Sequence, residues 1–199
     1  MAGSVNSRGP VAAVRVVALA NALRLAPGLG RSQLAAILAD HGESLESLTE
    51  QSFTARDAQR LIAAVERLAA ILSETDIDSA AQRINAVLAE CGARPRLSRH
   101  EGSAWHLHVD RSDDADWDEW LLASGAHALA QLMSEHGRIA WGICHAHDCS
   151  AYYLAIGPGP TRRFCSPTCS SRARVAEHRR RKRESETATP PPPPPPPER

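Results

Sequence analysis

The sequence lacks any uninterrupted apolar stretch near the ~18 residues that a membrane-spanning helix needs, which excludes a spanning segment. It has no glycine repeat, so collagen-like structure is excluded, and it shows no internal repeat. Lysine is nearly missing: of 23 basic residues only Lys182 is one, a bias that points to a high-GC bacterial source. The N-terminal apolar patch, Val11 to Ala22, is interrupted by Arg15 and Asn21, and no cleavage-site pattern accompanies it. The expectation is a protein without a signal peptide, located in the cytoplasm and making no membrane contact. Formal net charge is absent as well, with 23 basic and 23 acidic residues. What is present is a chain of 199 residues, 43% hydrophobic and 23% charged, which excludes full disorder. At this length folding buries ~70% of the unfolded chain's surface, enough for one solid core and a small second module.

The zero net charge conceals an asymmetry. Residues 1–143 carry 13 Arg and 18 acids, net −5; residues 144–183 carry 9 basic and 2 acidic residues, net +7; residues 184–199 carry one Arg and three Glu, net −2. An acidic body is thus joined to one basic C-terminal module, a distribution that suggests a polyanion partner for that module.

Residues 1–10 are small and polar and read as disordered. Val11 to Leu25 has helical spacing through Val14, Val17, Ala18, Asn21 and Leu25, and Pro27-Gly28 ends it. Ser32 is a candidate cap for a second helix with Leu34, Ile37 and Leu38 inward, stopped by Gly42; Ser44 to Glu50 reads as a further helical turn or two. Thr54-Ala55-Arg56-Asp57 resembles a capping box and opens a strongly amphipathic helix with Leu61, Ile62, Val65, Leu68, Ala69 and Leu72 inward. Ile77 to Glu90 repeats that pattern. Arg94 to Ser98 and Ala104 to Val109 then read as two short strands around a His100-Glu101-Gly102 turn. Asp113-Asp114 start a long helix, 115–136, whose first turns are crowded with acids and which Gly137 ends. Pro190 to Pro197 form a polyproline tail that cannot enter a helix or central strand.

Four of the five cysteines lie close together: Cys144, Cys149, Cys165 and Cys169, spaced C-x4-C-x15-C-x3-C. In a reducing compartment such a set reads as a metal site sooner than as disulfides. Four thiolates satisfy tetrahedral Zn²⁺ and leave no open position, so one structural zinc is expected. His145 and His147 are alternative ligands. Ala151 to Ile156 reads as a strand, Gly157 to Pro160 as a turn, and Thr161 to Phe164 as a returning strand. Ser166-Pro167 reads as an N-cap followed by proline at the first helical position. A knuckle, a hairpin and a helix carrying the last ligand make a treble-clef-like zinc finger. Tyr152, Tyr153, Leu154 and Phe164 would supply its miniature core, too small to fold without metal. The helix beyond Cys169 carries Arg172, Arg174, Arg179, Arg180, Arg181, Lys182 and Arg183, and zinc would tie it to Arg162 and Arg163. Such a basic patch suits nucleic-acid phosphates.

These residues resemble the CGNR zinc-finger family of bacteria. Cys144 and Cys149 match its first cysteine pair, Arg162-Arg163-Phe164-Cys165-Ser166 its middle segment, and Cys169 and Arg172 the ends of its signature. Ala173 to Arg181 is similar to the family's basic helix. Ser170-Ser171 departs from the pattern, standing where the family has Gly-Asn. The body is similar to the helical domain that usually precedes this finger, described as a stress-induced transcription regulator domain. The resemblance implies a DNA-binding regulator.

The expected architecture is mainly α with a small β-hairpin. It has a disordered 1–10, a helical regulatory body over 11–140 that folds by itself, a zinc finger over 141–183, and a disordered proline-rich tail over 184–199. The expected function is a zinc-finger DNA-binding transcription regulator and not an enzyme, with a body that senses an effector or forms a homodimer. The alternatives are an enzyme built on His106, His108 and Asp110, which share one strand face, or a zinc-stabilised protein-interaction module without nucleic-acid binding. Packing of the basic helix against the acidic body would count against the regulator.

Overall fold

In the computed structural model the described residues are 8–99, 105–112, 115–156 and 162–187. The expected turns at 100–102 and 157–160, the acids Asp113 and Asp114, residues 1–7 and the polyproline tail lie outside them. The body is built from helices α1 (Arg8–Leu25), α2 (Arg31–Asp40), α3 (Ala55–Leu72), α4 (Ile77–Glu90) and α5 (Trp117–His136). Helix α5 packs against α1, α3 and α4, while α2 covers α1 and α3. Two antiparallel ribbons follow from short strands, β1 (Arg96–Ser98) with β2 (His106–His108), and β3 (Trp141–Ile143) with β4 (Tyr152–Leu154). Helix α6 (Pro167–Thr187) ends the described chain.

The strongly patterned helices form where their sequence dictates. Thr54 Oγ1 accepts from the Asp57 amide at 3.3 Å, and the Asp57 carboxylate accepts from the Thr54 amide at 2.8 Å, the reciprocal cap that starts α3. Leu61, Val65, Leu68 and Leu72 of α3 are buried, with Ala80, Ile84 and Val87 of α4 and Leu121, Leu122, Ala126, Leu129 and Leu132 of α5. Gly137 ends α5 at φ 61°, a left-handed conformation that glycine reaches without strain. The clustered acids of α5 are partly met by Arg60, which pairs with Asp116 at 2.8 Å and Asp118 at 2.9 Å.

Helix α1 differs in phase from its reading. Ala13, Val16, Leu19 and Ala20 are buried, whereas Val14 and Leu25 are exposed. An almost uniformly apolar segment has a helical period but no phase of its own; two polar contacts set it. Arg15 is buried, 7% exposed, and donates to Glu43 Oε1 at 2.6 Å and to Ser124 Oγ at 3.4 Å. Its guanidinium lies 4.0 Å from the Trp120 ring centroid. Asn21 also faces a partner, described below.

Other boundaries shift. Helix α1 begins at Arg8, inside the segment read as disordered, and α6 runs four residues past 183. Gly30 and not Ser32 caps α2, and residues 44–50 form turns without a helix. In the β1–β2 ribbon Leu97, Trp105 and Leu107 are 67%, 64% and 47% exposed, while Val109 and Asp110 at its end are buried. Asp110 accepts from Arg96 Nη2 at 2.7 Å and lies 3.1 Å from His108 Nδ1, so its charge is met inside the fold. No helix among the described residues is long and apolar enough to cross a membrane.

One close approach sets the spacing of α1, α3 and α5. A Cβ at Gly125 would lie 2.8 Å from both Leu68 Cδ1 and Val16 Cγ2. Ala has the better helix propensity by ~1 kcal/mol, but overpacking a filled core costs about 1–3 kcal/mol. Gly125→Ala is therefore expected to lower stability, read as a reduced denaturation midpoint in urea with an unchanged slope.

Candidate metal centre and basic helix

The metal centre is assembled from three pieces of chain. Strand β3 delivers Cys144, whose amide donates to Ala151 O at 2.8 Å across the loop, and Cys149 N donates to Ala146 O at 3.1 Å, closing a tight knuckle. The segment before α6 delivers Cys165, whose amide donates to Cys144 Sγ at 3.4 Å. The first turn of α6 delivers Cys169; its amide donates to Ser166 Oγ at 3.2 Å, the N-cap bond read from Ser166-Pro167.

The four Sγ atoms lie within 4.8 Å of one another. Cys149–Cys165 and Cys165–Cys169 are each 3.6 Å apart between sulfurs, close to the ~3.8 Å edge of a tetrahedron with ~2.3 Å zinc–sulfur bonds. Cys144, Cys149, Cys165 and Cys169 therefore hold one structural zinc, with no ligand position left for substrate. Burial together with the neighbouring thiols pushes Cys165 up to about 12, while donation from Ser166 and Arg172 brings Cys169 down to about 6. Such a crowd of sulfurs gives up its protons to a bound cation, so metal affinity falls as pH falls. The two candidate histidines sit elsewhere: His145 Nδ1 lies 3.3 Å from Arg163 Nη2, and exposed His147 meets Asp148 at 2.7 Å.

The hairpin of the finger is not the one its sequence suggested. Strand β4 pairs with β3, in register Trp141↔Leu154 and Ile143↔Tyr152, and residues 162–164 form no strand. The His145 amide, donating to Arg163 O at 3.0 Å, and the Arg163 guanidinium, 3.3 Å from His145 Nδ1, tie that segment to the knuckle. The knuckle is thus the loop of the β3–β4 ribbon itself. Gly142 permits this ribbon, because a Cβ there would lie 3.1 Å from the Tyr153 hydroxyl across the strands.

That ribbon belongs to the body. Ala140, Trp141, Tyr152 and Leu154 lie in the same buried cluster as α1, α3 and α5, and the finger's own cluster is limited to Cys144, Ala146 and Cys169, with Cys149, Phe164 and Cys165 against it. Asn21 clamps the ribbon: Nδ2 donates to Tyr152 O at 3.0 Å, and Oδ1 accepts from Tyr152 N at 2.7 Å. Trp141 Nε1 donates to Ile71 O at 3.2 Å, the Tyr152 hydroxyl meets Ser73 Oγ at 2.9 Å, and Arg24 stacks 4.6 Å from the Tyr152 ring centroid. Ala140 and Trp141, on the two sides of the expected boundary, share that buried cluster. The sequence signal for the clamp was an asparagine interrupting an apolar helix; only the fold supplies its partner.

The nine cations divide into two groups. Arg162 donates to Phe164 O and Cys165 O, and Arg172 Nη2 donates to Cys169 Sγ at 3.2 Å, so both brace the metal loop. All nine are exposed; Arg174, Arg179, Arg180, Arg181, Lys182 and Arg183 lie along α6 beyond the metal loop, and Arg163 faces His145. Two open grooves flank His145 where the knuckle meets α6. One, of about 420 Å³, is lined by Arg172, Arg180 and Arg183; the other, of about 660 Å³, by Arg163, Arg174 and Arg181; Glu177 borders both. From Arg174 to Ser185 every residue is exposed except half-buried Glu177, so the helix is not packed against the acidic body.

Cys165→Ser is expected to remove the zinc, about one equivalent per chain by elemental analysis, and a strong chelator should lower the unfolding midpoint of the body helices as well as the finger, because metal binding stabilises what it is folded with. Asn21→Ala should leave the Tyr152 amide and carbonyl unpartnered at a cost of about 1–3 kcal/mol, read in chemical unfolding, and should weaken zinc retention against a competing chelator.

The CGNR zinc finger family matches residues 141–182, and the family described as Putative stress-induced transcription regulator matches residues 17–136. A comparison with curated proteins finds no match. The second family spans α1 from Val17 through the end of α5, and the first spans the ribbon, the four cysteines and most of α6. The chain therefore belongs to the family described as Putative stress-induced transcription regulator, and it carries that family's helical domain on a CGNR zinc finger.

Proposed function

We propose that the chain is a DNA-binding transcription regulator without catalytic activity, whose zinc centre fixes α6 so that its exposed face enters the major groove of duplex DNA. The observation that carries this reading is α6 itself. It is 21 residues long, ~31 Å at 1.5 Å per residue, and it is anchored at one end by Cys169 and Ser166 and exposed from Arg174 onward. A helix ~10–12 Å across fits a major groove ~12 Å wide. Its cations replace the counterions of the phosphate backbone, so affinity falls steeply with salt. The body's net −5 opposes nonspecific association and leaves the basic helix as the contacting surface. The buried engagement of Asp110 with Arg96 and His108 supports a structural role for the residues that would otherwise suggest a catalytic centre.

The test is fluorescence anisotropy of the zinc-loaded full chain with a short mixed-sequence DNA duplex at ~50 mM salt, a condition that favours phosphate contacts. Binding is expected to be salt-sensitive and lost on chelation. Arg179→Gln should flatten the salt dependence by ~0.9 in log–log slope if that residue meets one phosphate. Absence of binding to duplex DNA overturns the reading and favours a zinc-stabilised protein-docking module.

A further inference from the structure

Helix α6 contains one acid between Cys169 and Arg183, and that acid is placed where it governs two of the cations. Glu177 Oε1 and Oε2 accept from Arg180 Nη2 at 2.8 Å and Nε at 2.9 Å, and Oε1 also accepts from Arg181 Nε at 2.8 Å. Arg180 Nη1 donates in addition to Glu184 Oε1 at 2.7 Å. The two arginines are left in different states. Arg180 has every nitrogen directed at a carboxylate, whereas Arg181 is held by Nε alone, and its two terminal nitrogens have no partner among the described residues. Arg180 borders the smaller groove and Arg181 the larger, with Glu177 between them.

From this geometry we propose that Glu177 is a specificity-determining positioning residue of the nucleic-acid face: it withholds Arg180 from phosphates and presents Arg181 as an end-on fork toward the guanine edge of a base pair. The inference rests on the DNA-binding reading. Its physical basis is the difference between the two kinds of contact. A phosphate takes any nearby cation, so an arginine neutralised by two carboxylates contributes little to sequence-independent affinity. Guanine presents the O6 and N7 acceptors side by side, and a guanidinium meets both only when its terminal nitrogens are free and its stem is held in place. A carboxylate three and four residues before two arginines supplies that hold from within one helix turn. Arg180 and Arg181 draw the Glu177 carboxyl down to about 2, so it stays ionised wherever DNA is stable.

The test compares the zinc-loaded full chain with Glu177→Gln and Arg181→Lys, each titrated against an alternating G·C duplex and an alternating A·T duplex over a range of salt. The wild-type chain is expected to favour the G·C duplex. Glu177→Gln should bind both duplexes more tightly, reduce the G·C preference by about tenfold, the scale of one bidentate base contact, and steepen the salt slope by ~0.9 as Arg180 reaches a phosphate. Arg181→Lys should lose the preference with no steepening. Circular dichroism of both variants should show unchanged helicity, since a purely helix-stabilising glutamate would lower helicity and leave the preference intact. A wild-type chain that binds DNA, with the same preference and slope in Glu177→Gln, overturns the role of Glu177 alone. A wild-type chain that binds neither duplex overturns it together with the DNA-binding reading.

Discussion

Two hydrogen bonds between the side-chain amide of Asn21 and the backbone of Tyr152 decide how this molecule is put together. They join residues 131 positions apart and hold the β3–β4 ribbon against α1, so that Trp141, Tyr152 and Leu154 complete the core of the helical body. The same ribbon carries Cys144 at one end of its loop, and the Ala151 carbonyl, one residue from the clamped Tyr152, accepts from the Cys144 amide. A path of three residues therefore runs from the body to a zinc ligand. A half-buried polar clamp of this kind favours one arrangement, because each Tyr152 backbone group left alone loses its protein partner.

Zinc does the corresponding work on the far side. The knuckle, the segment around Cys165 and the start of α6 have only a few small and half-buried residues of their own to hold them together. Four sulfurs around one ion replace the missing core. Arg162 and Arg172 are spent on the carbonyls and the thiolate of that centre. What leaves the centre is a helix with almost no apolar face, stabilised by ion pairs from Glu177 and Glu184 and by its capped start. A helix exposed on all sides is costly to hold in one direction, and the zinc-bound first turn is what fixes its direction.

Family membership and geometry bear on each other. The regulator domain and the finger match as separate stretches that meet near residue 140, yet the packing runs through that point without a break. The ribbon that carries Cys144 is packed into the core of a body of transcription-regulator type. The end of α3 contacts the same ribbon through Ile71 and Ser73.

The sequence by itself determined the elements whose signals are local. The capping box at Thr54, the amphipathic α3 and α4, the left-handed Gly137, the Ser166-Pro167 helix start and the four-cysteine spacing each encode their structure within a few residues. Only the tertiary structure decided the rest. The phase of α1 was open because its residues are apolar on nearly every side, and Arg15 and Asn21 found partners more than twenty residues away. The pairing of β4 with β3 was open because three-residue strands carry too little pattern to name their partner. The exposed side of the β1–β2 ribbon depended on where Asp110 could meet Arg96 and His108. The sorting of the cations into those that brace the zinc centre and those that do not was open for the same reason: residue type gives charge, but position gives the partner.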